Sequence, residues 1–326
     1  MNATEAKFQT RDKLMMSAKQ MLVRLGPDSP LTRGALNLHA RQRGFRIAFG
    51  EAISISRGSS VMRLSKSALQ MVPYMLDYFD LYFSSFEPSA ENGLALLDFS
   101  SPRFHRYRKT GVEFYFPSIP EEEYGGQYTS HYCPGPGDVV FDLGANAGAT
   151  AWYFSNMVGD AGRVFAFEPD DCNYECLLRN IEHHGLKNVV PLKKALGGFT
   201  GSAVFNMDGT LAAGLADLVA YTKASQLRTV DVLTLADACA LAGAVPRFIK
   251  MDVEGAEISI VSQSLDFLRA NPVHFTVDSS HVVGGRMTHF ALDRLFSSIG
   301  YSVESSAESG QMFTWAAPAP ASVRPN

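Results

Sequence analysis

Four ionisable residues, Lys250, Asp252, Glu254 and Glu257, crowd the point where the apolar run Phe248–Met251 passes into a helical pattern. Strand alternation sets Lys250 and Asp252 on one side, while Glu254 and Glu257, three apart, can share a helix face. A carboxylate at such a junction can take a proton from a reacting hydroxyl. Glu254 and Glu257 also stand where a carboxylate simply stabilises a helix N-terminus. His281 follows the next apolar run, His274–Val277, so its imidazole can reach the same edge. Asp252, Glu254 and His281 are therefore the candidate proton-transfer residues. Asp252 and Asp278 end neighbouring runs and offer the oxygen ligands that hard cations take, but no residue is assigned to a metal.

A second constellation lies upstream. Val139-Val140-Phe141-Asp142-Leu143 has the pattern of a buried strand, and it runs into Gly144-Ala145-Asn146-Ala147-Gly148 and then a helical stretch to about Val158. Gly144 permits a tight turn, and Gly148 lets the helix pack close to the sheet or a ligand. The amides of that helix start favour an anionic group. Glu168, 24 residues beyond Gly144, ends the run Arg163–Phe167. An acid there is placed to accept hydrogen bonds from both ribose hydroxyls of an adenosine. Asn146 stands where a dinucleotide fold needs its second glycine, which disfavours a nicotinamide cofactor.

The elements that must position these residues alternate. Strand-like runs at 138–143, 163–167, 188–192, 248–251 and 274–277 are separated by helical patterns, and runs at 201–207, 227–232, 301–304 and 311–316 add further strands. The alternation predicts an α/β fold with a doubly wound, mostly parallel sheet and a ligand at its carboxyl edge. The first third carries no chemical motif. Leu14, Ala18, Met21 and Leu25 fall on one helical stripe, as do Leu64, Ala68, Met71, Met75, Tyr78 and Tyr82, with Pro73 starting or kinking that helix. Residues 1–110 are accordingly expected to be a mainly helical cap or docking region, 111–315 the ligand-binding domain, and the Ala- and Pro-rich 316–326 a disordered tail.

Composition sets outer limits. The 326 residues are 46% hydrophobic and 19% charged, ample for a core. No run reaches the ~18 uncharged apolar residues of a membrane span. The N-terminus shows no secretory pattern, and Cys133, Cys172, Cys176 and Cys239 do not spell a disulfide framework, so a cytoplasmic protein is expected. The net charge of −4 is unevenly divided: residues 1–110 carry 16 Lys and Arg against 9 Asp and Glu, and residues 111–326 carry 13 against 24. The acidic part cannot attract nucleic acid by bulk charge. The basic part is a solvated surface or meets an anionic partner. The sequence leaves the oligomeric state open.

Four stretches, FDLGANAG from Phe141, FEPD from Phe167, HGLKNVVPLKKALG from His184 and FIKMDVEGAE from Phe248, resemble the FkbM family of S-adenosylmethionine-dependent methyltransferases. The resemblance runs from about Tyr128 to Ser305. It implies a class I methyltransferase (Rossmann-like) fold with S-adenosylmethionine as cofactor. It also implies that Gly144, Asn146 and Gly148 line its methionine part, that Glu168 holds its ribose, that Ala195 and Leu196 border its adenine, and that Asp142 and Asp252 belong to the cofactor-binding set. Asp252 would lie near the transferred methyl. The activity implied is O-methylation of a sugar, a glycan or a glycosylated metabolite. One departure stands out: where the family often has Glu-x-His near the fifth strand, this chain has Val277-Asp278-Ser279-Ser280-His281. The competing expectation is a non-catalytic Rossmann-like subunit that binds a partner through its basic first third. Gly144, Glu168 and Asp252 together favour the enzyme.

Overall fold

The computed structural model describes residues 29–121, 125–207, 214–215, 226–308 and 311–319. The described residues up to 121 form one unit, and those from 125 onward form another. The Leu14–Leu25 stripe, residues 208–213 and 216–220 of the Gly- and Ala-rich loop, and residues 320–326 of the tail lie outside the described residues.

In the first unit Ser29 caps α1 (Pro30–Gln42), its side chain accepting from the Thr32 amide. Strands β1 (Arg46–Phe49), β2 (Ile53–Arg57), β3 (Ser60–Leu64), β4 (Ser89–Glu91) and β5 (Leu94–Phe99) form a five-stranded sheet in the order β1-β2-β3-β5-β4. Between β3 and β4 lie a 3-10 turn (Lys66–Met71) and two short helices, α2 (Val72–Asp77) and α3 (Phe79–Ser85). The expectation of a mainly helical region is therefore corrected. Its strands are short, and Ile53-Ser54-Ile55-Ser56, buried at Ile53 and Ile55 only, gives a period-two signal over just four residues. Leu64 of the expected helical stripe belongs to β3, and Pro73 sits in the first turn of α2.

A hairpin of β6 (Arg103–Arg106) and β7 (Glu113–Phe116) completes this unit and crosses residue 110, pairing Arg106 with Glu113. A division at 110 would cut through it. The reason is aromatic: Tyr107 packs on Phe86 with ring centroids 4.5 Å apart, and His105 packs on Phe99 at 4.8 Å. The Tyr82 hydroxyl further donates to the Pro120 carbonyl at 2.8 Å.

The second unit opens with β8 (Val139–Leu143), α4 (Ala149–Val158), β9 (Arg163–Phe167), α5 (Asp171–His184) and β10 (Val189–Leu192). Asp170 caps α5 by accepting from the amides of Cys172 and Asn173, and Gly185 closes it in the left-handed region. Next come β11 (Ala195–Leu196), β12 (Gly201–Met207), β13 (Gly214–Leu215) and β14 (Gln226–Leu233), a separate sheet in the order β11-β14-β12-β13. The chain continues through α5's successor α6 (Leu235–Ala242), then β15 (Phe248–Met251), α7 (Glu257–Gln263), α8 (Leu265–Ala270) and β16 (His274–Asp278). A two-stranded ribbon of β17 (Val282–Val283) and β18 (Arg286–Met287), helix α9 (His289–Ser297), β19 (Ser302–Glu308) and β20 (Gln311–Ala317) end it. Ala316 and Ala317 are thus strand rather than tail.

The main sheet has seven strands in the order β10-β9-β8-β15-β16-β20-β19. The first five run parallel, and β20 and β19 are antiparallel. Apolar side chains bury both faces. Phe141, Phe167, Ile249, Met251 and Phe275 pack with α6, α7 and α9 on one face, and Val140, Val164 and Phe248 pack with Phe154 of α4 and Leu177 of α5 on the other. Strand ends therefore set the carboxyl edge, where the loops gather. Among the described residues, no helix is long and apolar enough to cross a membrane.

His105 of β6 is buried among Phe86, Phe99 and Phe116, and its Nε2 makes no hydrogen bond. Burial, helped by Arg103, lowers its pKa from 6.5 to about 4. The unfolded chain then binds a proton that the folded chain refuses, so stability falls as pH drops from about 6.5 toward 4. The first unit is expected to lose about 2.5 kcal/mol between pH 7 and pH 4.5 from this group. Denaturant titrations of the wild type and His105→Phe at both pH values check this. The variant should show the smaller drop.

Candidate active site

The end of β8 is tied to the end of β15 by a buried ion pair. Lys250 Nζ lies 3.3 Å from Asp142 Oδ1, with side-chain exposures of 1% and 0%. The two residues face each other across neighbouring parallel strands. Lys250 Nζ also donates to the Gly144 carbonyl at 2.6 Å and stands 5.2 Å from the centroid of the Tyr128 ring. Thr150 of α4 donates its hydroxyl to Asp142 Oδ2 at 2.6 Å. Asp142, read from the sequence as a cofactor residue, is thus buried beneath the loop and braces it.

That loop is built for close approach. Gly144 has φ +75°, and a Cβ there would lie 1.9 Å from the Asp252 carbonyl oxygen. Gly148 has φ +87°, and a Cβ there would meet Leu177 Cδ1 at 2.5 Å. Asn146 is held at φ 49°, and its side-chain oxygen accepts from the next amide, Ala147, at 2.7 Å. Glu168 stands directly after β9, buried. Its Oε2 accepts from the Asn146 amide at 2.7 Å and its Oε1 from the Asp170 amide at 2.8 Å. Burial pushes this carboxyl up to about 8, against the two amides and Lys250, which favour its charged form. Ala195 and Leu196 are both buried in β11, just beyond the end of β10.

The proton-transfer candidates meet next to this loop. The Tyr128 hydroxyl donates to Asp252 Oδ2 at 3.1 Å. His281 Nε2 is 3.7 Å from Asp252 Oδ1 and 3.5 Å from Glu254 Oε2, and His281 Nδ1 is 2.8 Å from Glu257 Oε1. Glu257, fully buried, also accepts from the amides of Val253 and Gly255 through that same oxygen, fixing the turn before α7. Glu254 sits in this turn at φ 53°. Asp278, at the end of β16, accepts from the Ser280 amide at 2.9 Å and from its hydroxyl.

The electrostatics follow from this crowding. Burial opposes charge on His281, yet the carboxylates of Glu257, Glu254 and Asp278 raise its pKa well above 6.5. Burial first, then Asp252, pushes Glu254 up to about 8 and Asp278 up to about 6. The arrangement can hold hydrogen-bond donors and accept a proton.

Sequence spacing brought Asp252, Glu254 and His281 to one edge, and the structure places them in one cluster. It missed two members. Tyr128 lies 124 positions from Asp252, and nothing in its neighbourhood signals the contact. Glu257 looked like a helix-start carboxylate, and its pairing with His281 depends on a loop 24 residues downstream.

Breaking the buried pair should cost far more than removing it. Lys250→Met is expected to destabilise the second unit by about 3–5 kcal/mol, because Asp142 is left charged and buried. Adding Asp142→Asn should recover part of that loss. Thermal and denaturant unfolding of the two single variants and the double check it, and fully additive losses would count against the pair.

Residues 142–303 match the model of the Methyltransferase FkbM domain. No curated protein matches the chain. Among solved structures it is similar to an FkbM methyltransferase from Methylobacillus flagellatus KT, at 14% identity and a TM-score of 0.39 over 87% of this chain and 58% of that one. It is also similar to a putative rRNA-methylase from Clostridium thermocellum, at 12% identity and a TM-score of 0.38 over 57% of this chain and 88% of that one. A third is the fibrillarin of Aeropyrum pernix with natively bound S-adenosyl-L-methionine, at 10% identity and a TM-score of 0.37 over 71% of this chain and 97% of that one. With the family's domain lying over the glycine loop, Glu168 and the β15 junction, this chain carries a Methyltransferase FkbM domain and is an S-adenosylmethionine-dependent methyltransferase.

Proposed function

We propose that the enzyme methylates a hydroxyl of a sugar, a glycan or a glycosylated metabolite, with Glu254 accepting the hydroxyl's proton. The observation that carries this is the meeting of Asp252, Glu254 and Asp278 around His281, on the strand end that touches Gly144. Carboxylates accept hydrogen bonds and repel phosphates. A neutral polyol with several hydroxyl donors suits such a pocket edge, and a nucleic acid does not.

Bound S-adenosylmethionine supplies a methyl group on a positively charged sulfur, open to displacement by an oxygen. The chain's own residues fit it. Each Glu168 oxygen accepts one backbone amide and keeps further acceptor capacity for a ribose hydroxyl. Gly144 and Gly148 leave the loop bare, Asn146 folds its side chain onto the loop, and Asp142 braces it through Lys250. Ala195 and Leu196 offer an apolar border for the adenine. Catalysis then rests on aligning the acceptor oxygen and removing its proton. Glu254 faces His281 Nε2 from the side opposite Glu257, and Tyr128 steadies Asp252. The first unit is assigned to acceptor choice or docking. A cytoplasmic setting agrees with the free thiols of Cys133, Cys172, Cys176 and Cys239.

Two outcomes test this reading. Glu168→Ala should weaken S-adenosylmethionine binding by about 1.5–3 kcal/mol, the scale of hydrogen bonds to a charged group. Calorimetry with unchanged affinity would remove Glu168 from the ribose. Glu254→Gln should lower turnover by roughly 100- to 10,000-fold while leaving cofactor affinity nearly unchanged. The assay is methyl transfer over a panel of saccharides, glycosylated metabolites and RNA. Methylation confined to RNA, or a fully active Glu254→Gln enzyme, would overturn the assignment.

A further inference from the structure

We infer that Asp252, Asp278 and His281 bind one divalent cation of the manganese–magnesium class, where it would orient the hydroxyls of the acceptor beside Glu254. The inference rests on the hydroxyl-methylating reading for the role of the ion, but not for its site.

One ligand atom from each of the three residues lies within 4.8 Å of the others. Opposite ligands of an ion with bonds of ~2.1 Å stand roughly 4 Å apart, so a small inward movement closes the set. Two carboxylates and one imidazole suit a fairly hard cation that tolerates nitrogen. Three ligands leave open positions for water or for neighbouring hydroxyls.

Each of the three is also held from behind. Metal-binding imidazoles donate their second ring N–H to a carboxylate or carbonyl, which fixes the ring and frees the other nitrogen. His281 does this: Nδ1 meets Glu257, itself anchored by two backbone amides, and Nε2 faces the cluster. Asp252 Oδ2 is held by the Tyr128 hydroxyl. Asp278 Oδ1 is held by the Ser280 amide and hydroxyl.

Asp278 is only 3% exposed, and the Ser280 amide and hydroxyl both donate to its Oδ1, which leaves Oδ2 for a ligand. Other side chains do not neutralise the cluster. Asp252, Glu254, Glu257 and Asp278 surround one histidine, and among the described residues no lysine or arginine pairs with any of the four carboxylates.

The experiment uses the full chain, stripped with EDTA, desalted and titrated with Mn2+ alone under electron paramagnetic resonance. One bound Mn2+ per chain is expected, with electron spin echo modulation from an imidazole nitrogen. Asp278→Asn should weaken binding at least ~10-fold, and His281→Gln should abolish the nitrogen signal. Glu257→Gln, which removes no ligand, should weaken binding by about 10- to 100-fold. Should Glu257→Gln fail to fold, the wild-type nitrogen signal and its loss in His281→Gln decide the matter. No stoichiometric Mn2+ at millimolar concentration, or binding unchanged in Asp278→Asn and His281→Gln, overturns the site. Calorimetry and turnover separate the two readings. If saccharides are methylated at full rate in EDTA, the cation falls and the acceptor assignment stands. If Mn2+ binds with the nitrogen signal but no saccharide is methylated, the site stands and the acceptor assignment falls.

Discussion

The Lys250–Asp142 pair is the constraint on which the rest of the second unit depends. Removing two charges from water costs several kcal/mol each, and their attraction offsets this only when every remaining donor and acceptor is met. Here most are: the Gly144 carbonyl receives from the ammonium, Asp142 Oδ1 stands 3.3 Å from it as its ion partner, Thr150 donates to the carboxylate, and the Tyr128 ring faces the cation. The same contacts fix geometry. Because Lys250 and Asp142 stand opposite each other in register, β8 and β15 cannot slip without exposing an unpaired charge. Register then dictates that Gly144 meets the Asp252 backbone, and no side chain is tolerated between them.

Tyr128 connects that buried charge to the working surface. Its ring lies over Lys250 while its hydroxyl reaches Asp252, so a single side chain spans the loop brace and the cluster around His281. Thr276 of β16 holds the Tyr128 carbonyl at 2.8 Å, which ties the same residue to the strand that delivers Asp278. Positive charge is sealed below the edge and negative charge gathers on it. The ammonium of Lys250 is committed inside.

Much of the second unit was legible because its strands are short, apolar and punctuated. Arg163–Phe167, Gly201–Met207 and Phe248–Met251 stand in the structure with the bounds that pattern alone gives. Asp170 and Gly185 close the ends of α5 by capping chemistry that is local in sequence. The first unit resisted for the opposite reason. Met75 and Tyr82 fit a helical stripe and are buried, yet the helices they belong to are six and seven residues long. They support a sheet whose pairings, such as Ser60 with Ala95, join residues far apart in sequence. In the site, residue types on one edge could be read, but Tyr128–Asp252 and His281–Glu257 are made by the tertiary fold, and no spacing rule encodes them.

Glu257 has two obligations through one oxygen: it fixes the turn that bears Glu254, and it holds the imidazole at the end of the neighbouring strand. The loop after β15 and the loop after β16 are therefore mechanically a single part. A change that shifts one must shift the other, so this part of the protein has little room to drift by small steps. Divergence would be channelled into side chains with no backbone duty. The protein separates what must stay rigid from what can be retailored, and one buried carboxylate marks where that border runs.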